Sequence, residues 1–186
     1  MAKVDLNPIF DQVSGKVGDL VLKRYRNGVV MARAGASERP LSEAQIAQQE
    51  RFRAATLYSK LALMDPAVRD QYRTLAVKRG LPLMAVMVAD FFNGPTIVNL
   101  DAAEYHGRVG DRITVVAKDD FSVTKVEVVI KAGTVVVEQG EAVETPAGSG
   151  QYYYTATQAA PSGTPLTITA TATDRPGNTT SQSVTQ

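Results

Sequence analysis

Between residues 19 and 33 apolar and polar positions alternate with a period of two, and this pattern predicts a β-hairpin. On its first arm Leu20, Leu22 and Arg24 face one way, and Val21, Lys23 and Tyr25 the other. Asn27-Gly28 supplies residues that tolerate the positive φ of a type I′ turn, and residues 29–33 form the second arm. Ahead of the hairpin, Gly15 and Gly18 stand three apart and predict a tight backbone excursion. Residues 35–40 read as a linker. The period then lengthens to that of a helix. Ser42 and Gln45 fit a capping box, and Ala54, Leu57, Tyr58, Leu61 and Met64 recur at helical spacing. Asp65-Pro66 restarts the pattern as N-cap and first helical residue, and Val68, Tyr72, Leu75 and Ala76 make the apolar stripe of a second helix. Gly80 ends it. Pro82 opens a third helix, 83–92, which is apolar nearly all round and so reads as buried.

From residue 96 onward Thr and Val dominate and strands replace helices. The candidates are 96–100, 112–117, 125–131, 134–139, 151–157, 165–173 and 179–184. Val126, Val128 and Ile130 form one inward row, and Leu166, Ile168, Ala170 and Ala172 another. Seven short strands in about ninety residues, punctuated by Gly and Pro, are the pattern of an immunoglobulin-like β-sandwich. The Cys–Trp–Cys core of antibody domains is missing. The expected fold class is therefore α+β in two domains: a β-hairpin plus three-helix unit over residues 1–94, and an Ig-like β-sandwich over 95–186.

Composition narrows the chemistry. The 186 residues include no Cys and one His, which excludes disulfides, thiolate sites and multi-His metal centres. The net charge of +1 hides an asymmetry. Residues 1–94 hold 14 Lys+Arg against 9 Asp+Glu, a net of +5, and residues 95–186 hold 6 against 10, a net of −4. Halves of opposite sign attract head to tail between molecules, and they equally describe two domains of differing surface. The N-terminus lacks the apolar core and cleavage site of a signal peptide, and the apolar run 81–92 is too short to span a bilayer. A cytoplasmic protein is the default expectation, with release by a dedicated route left open.

Asp119-Asp120-Phe121-Ser122-Val123, Val126-Glu127-Val128, Gln151-Tyr152-Tyr153-Tyr154-Thr155 and the closing Ala172-Thr173-Asp174-Arg175-Pro176-Gly177-Asn178 resemble bacterial Ig-like modules. The likeness covers about half of the chain. It implies adhesion, spacing or assembly and no chemistry. The segment Ser14-Gly15-Lys16-Val17-Gly18-Asp19-Leu20-Val21, followed by Asn27-Gly28 and a helix with Arg51-Phe52-Arg53, resembles a family of uncharacterised bacterial proteins and implies no catalytic residue.

Several residue groups carry candidate functions. Lys16, Lys23, Arg24, Tyr25, Arg26 and Arg33 make a basic, aromatic-interleaved hairpin suited to tracking a phosphate backbone, and equally suited to guarding an exposed sheet edge. Gly15-Lys16-Val17-Gly18 is a plain turn or an anion cradle, but it is not a Walker A motif. Asp119, Asp120, Asp174 and Asn178 all fall at strand ends and offer oxygen ligands to Ca²⁺, though each residue is also explained by turn geometry. His106 lacks the G-x-S-x-G elbow of a triad and reads as a turn residue. Tyr153 points opposite to Tyr152 and Tyr154, leaving one side of that strand for the core and the other for the surface.

No catalytic constellation emerges, and no cofactor is expected. The leading expectation is a non-enzymatic structural protein that self-associates, into filaments if the N-terminal strands reach across to a neighbour. Two further readings stand beside it: nucleic-acid binding through the basic half, and a carbohydrate- or ligand-binding Ig-like module using its Tyr-rich face.

Overall fold

The computed structural model describes residues 2–4, 14–25, 28–35 and 40–186. These residues form an α+β fold with three helices and several antiparallel sheets. The chain divides into two compact units, Met1–Ile46 and Ala47–Gln186.

The first unit carries β1 (Ala2–Val4), β2 (Gly15–Val17), β3 (Leu20–Tyr25) and β4 (Gly28–Arg33), in the sheet order β1-β4-β3-β2. Gly18, with φ 57°, turns the chain between β2 and β3, a conformation in which a side chain is strained. The expected hairpin forms, but each residue of β3 pairs two residues short of the partner that a turn on Asn27-Gly28 requires. Tyr25 pairs with Gly28, so Gly28 opens β4 rather than sitting at the centre of a turn. Of the expected Asn27-Gly28 turn, Asn27 lies outside the described residues, as does Arg26.

α1 (Glu43–Ala62) opens on the predicted capping box. The Ser42 N–H donates to Gln45 Oε1 at 3.0 Å, and the Gln45 N–H to Ser42 Oγ at 3.3 Å. Asp65 caps α2 (Pro66–Arg79), its carboxylate accepting the N–H groups of Ala67 and Val68. Gly80 closes α2 in the left-handed conformation at φ 63°. α3 (Leu83–Phe92) follows Pro82 and ends at Asn93.

The helices share a small core. Val68, Tyr72 and Ala76 of α2 meet Val86 and Met87 of α3, with Tyr58, Ala62, Leu63 and Phe121 around them. This corrects the expected stripe on α1. That helix buries Ala55 and Ser59, while Leu57, Leu61 and Met64 stand exposed. Tyr58 and Ala62 are on the packed side, so the α2–α3 pair is met by the face a third of a turn from the longest apolar side chains.

The remaining strands make two sheets around one core. β5 (Thr96–Asp101), β6 (Arg112–Lys118), β10 (Gln151–Thr155) and β9 (Val143–Glu144) are ordered β5-β6-β10-β9. β7 (Val123–Ala132), β8 (Val135–Glu141), β11 (Leu166–Asp174) and β12 (Thr179–Thr185) are ordered β12-β11-β7-β8. Both predicted inward rows are buried, and they join Ile113, Val115, Tyr152 and Tyr154 of the other sheet in a single apolar cluster. β8 departs from simple alternation. A bulge between Ile130 and Lys131 brings Glu138 opposite Ile130, on the core side, and leaves Val135 and Val136 outside.

The change of character at residue 94 is a change of element type. The compact units part at Ile46/Ala47, because the helices are tied to one end of the two sheets. Tyr72 stacks on Phe121 with ring centroids 3.8 Å apart, Asn178 Nδ2 donates to the Phe91 carbonyl at 3.2 Å, and Arg79 donates to the Asp120 carbonyl at 2.8 Å.

Candidate interaction surfaces

The pairing register sorts the basic hairpin residues onto two faces. Lys16 lies opposite Val21, and Val21, Lys23 and Tyr25 share one face of β3. Arg33 lies opposite Leu20 and Arg24 opposite Val29, which places both arginines on the other face. The sheet therefore gathers Lys16, Lys23 and Tyr25 and separates them from Arg24 and Arg33. Arg26 lies outside the described residues. A phosphate-tracking surface gains from one-sided charge, and the register divides it.

The face bearing Arg24 and Arg33 is otherwise apolar. Val17 pairs with Leu20, Leu22 with Met31, and Val29 sits beside them. Among the residues of this unit whose burial is described, only Val29 is buried. Val17 is 66% exposed and Leu20 42%. On the opposite face Tyr25 is 55% exposed.

The oxygens expected to converge on calcium are engaged elsewhere. Asp174 Oδ1 accepts the N–H groups of Gly177 and Asn178 at 2.8 and 2.6 Å, and its Oδ2 accepts from Asn178 Nδ2 at 2.7 Å. Asp119 Oδ2 accepts the N–H groups of Phe121 and Ser122. Asp120 accepts from Asn93 Nδ2 at 2.7 Å. Asp119 and Asp174 are turn acceptors and Asp120 is held by Asn93, and no cluster of three or more His, Cys, Asp or Glu suited to a metal forms among the described residues. His106 is exposed, with Nδ1 3.2 Å from the Glu104 carbonyl oxygen.

Two buried acids went unmarked in the sequence reading. Asp90 of α3 is 2% exposed and accepts from the Tyr72 hydroxyl, which also bonds to Tyr58 at 2.7 Å. Burial pushes its carboxyl up to about 6, opposed by the Tyr72 hydrogen bond and reinforced by the nearby Asp119, Asp174 and Asp120. The signal was present: Asp90 is the one ionisable residue in the apolar run 83–92. Glu138 is the second. Its Oε2 accepts from the Tyr154 hydroxyl at 3.0 Å and from the Thr157 N–H and hydroxyl at 2.9 and 2.8 Å. Burial, then the Glu138 bond, pushes the Tyr154 hydroxyl up to about 12. No alternation pattern could have found Glu138, because the bulge reverses its face.

An open groove of about 860 Å³ runs along β10 between β9 and the end of β8. Tyr153 lines it, on the face opposite the buried Tyr152 and Tyr154, with the Arg112 guanidinium 5.0 Å from its ring centroid. Beneath the groove the Tyr154 ring packs against Gly140, where a Cβ would lie 2.8 Å from a ring carbon.

No helix among the described residues is long and apolar enough to cross a membrane. No protein-family model matches the chain, and no curated protein is significantly similar to it.

Proposed function

We propose that this chain is a non-enzymatic structural protein that self-associates through its N-terminal strands, with an immunoglobulin-like β-sandwich as its second module. One observation carries the reading. The N-terminal sheet has an apolar face, Val17, Leu20, Leu22, Val29 and Met31, yet of these five only Val29 is buried. A sheet whose apolar face the described residues leave largely open gains too little from their burial to offset the entropy of ordering its strands. A second copy supplies that layer, or extends the sheet at its edge strands β1 and β2. If the contact is heterologous, it does not close and the product is a filament. The opposite charges of the two halves favour a head-to-tail arrangement.

The Ig-like module draws its support from strand order. Lettering β5 to β12 as A, B, C, C′, D, E, F and G turns the two sheets into A-B-E-D and G-F-C-C′. That is the arrangement of an immunoglobulin-type sandwich with one added strand. Nucleic-acid binding gains less support, since its basic residues fall on two faces.

Light scattering on a size-exclusion column at low and high salt, with electron microscopy of the peak, tests the reading. Species well above 19.9 kDa are expected, dissociated by Val17→Asp with Leu20→Asp and by removal of residues 1–35. A monomer at both salts sinks it.

A further inference from the structure

The groove on β10 is too short for a β-strand and is lined for a polyhydroxylated ligand. β9 pairs only with Tyr152 and Tyr153 on that edge of β10. Ala156 turns its N–H and C=O toward Asp111 and Gly110, at the head of β6. By alternation Thr155 and Thr157 turn theirs to the groove side. The Thr157 N–H is already taken by Glu138. An incoming strand would find Thr155 alone between β9 and Glu138, which is too little for strand addition. The side chains that line the groove tell the other half. Tyr153 offers a ring, Gln139 and Gln151 offer amides that both donate and accept, and Thr155 offers a hydroxyl. Arg112 and Glu141 bring opposite charges, so the lining selects no net charge. The volume of about 860 Å³ lies within the range of about 300–1,000 Å³ usual for small-molecule sites.

We infer that this groove binds a neutral oligosaccharide, with a sugar face on the Tyr153 ring and ring hydroxyls bonded to the amides of Gln139 and Gln151. A sugar presents both an apolar C–H face and closely spaced donors and acceptors, which one aromatic ring among amides and hydroxyls matches. The support beneath is stiff: Tyr154 is wedged against Gly140 and tied to the buried Glu138, and Arg112 braces Tyr153. The groove lies wholly within the Ala47–Gln186 unit, so its occupancy does not depend on what covers the N-terminal sheet.

The test is a printed array of neutral oligosaccharides probed with the full chain, followed by calorimetric titration of the strongest glycan. Tyr153→Ala and, separately, Gln151→Ala are expected to weaken that binding at least about tenfold. Tyr153→Phe retains it, because the ring remains, and the remote Leu57→Ala leaves it unchanged. Gln151→Ala keeps the test valid if Tyr153→Ala fails to fold. Retention of no glycan overturns the inference. So does glycan binding that survives both variants, or binding of an extended Thr/Val heptapeptide that Tyr153→Ala abolishes while no glycan binds.

Discussion

The N-terminal sheet and the two sheets of the second unit obey the same pleat, and they differ in what faces them. Four antiparallel strands with alternating apolar positions occur in each. In the second unit the apolar rows of two sheets face each other and eighteen residues join one buried cluster. In the first, the same alternation leaves Val17 and Leu20 exposed. Alternation specifies which side of a strand is apolar, and burial requires a second layer of matching length. The second unit contains its layer, and the described residues of the first unit do not supply one.

The largest expected effect breaks the complete core. Ile168 is fully buried in β11, opposite Ile130 of β7. Ile168→Ala is expected to destabilise the second unit by about 2–5 kcal/mol, through lost transfer energy and an uncollapsed cavity. Chemical denaturation followed by circular dichroism measures it. An effect below 1 kcal/mol on the scale of such substitutions would mean that the two sheets do not share a tight core.

The next effect concerns the acid held under the helices. The folded carboxyl of Asp90 is raised from the usual 3.8 to about 6, so the fold favours its protonated form. Its contribution to stability is complete below about pH 4 and is lost as pH rises through about 6, a change of about 3 kcal/mol. Asp90→Asn should remove that loss. Wild type and variant are compared by thermal denaturation at intervals between pH 4 and pH 7. The difference between them grows in favour of the variant as pH rises, and a constant difference refutes the assignment.

A smaller effect probes the strand that the bulge re-aims. Gly140→Ala forces a Cβ to within 2.8 Å of the Tyr154 ring unless the ring moves. Moving it strains the Glu138 bond, and a loss of about 1–3 kcal/mol is expected. Tyr154→Phe removes the hydroxyl and costs about 1 kcal/mol. Because both changes act on one ring, the double variant falls short of the sum, as a double-mutant cycle reads directly.

These sites also mark where the sequence was legible. Ser42, Asp65 and Gly80 set helix ends through their own hydrogen bonds and dihedrals, which are local properties written in a few residues. The inward rows of β7 and β11 were legible because period two leaves no freedom once one face is buried. The packed face of α1 was not. Its largest apolar side chains face outward, and the choice was made by Tyr58, Ala62 and Leu63 against α2 and α3, which is tertiary information. The alternation that separates Lys23 from Arg24 was legible on the first arm, but the faces of Lys16 and Arg33 follow only from the cross-strand register. The groove was half legible. Alternation sets Tyr153 apart from Tyr152 and Tyr154 without saying which side is the surface, and the shortness of β9 and the cap that Glu138 puts on Thr157 depend on contacts across two sheets.

The smallest effect on folding belongs to the N-terminal sheet, and it is the sharpest test of the comparison. Val17→Asp and Leu20→Asp place charges on side chains that are already largely exposed in the single chain. They should therefore shift the thermal midpoint of the second unit by no more than the equivalent of about 0.5 kcal/mol, the usual scale for surface substitutions. If a neighbouring copy covers this face, the same charges must be buried in the contact, and burial of an unpaired carboxylate is strongly unfavourable. Folding and assembly then respond in opposite proportion: almost no change in the melting of the second unit, and loss of the large species by light scattering. Were both to change together, Val17 and Leu20 would belong to the chain's own core, and the contrast between the two regions would collapse.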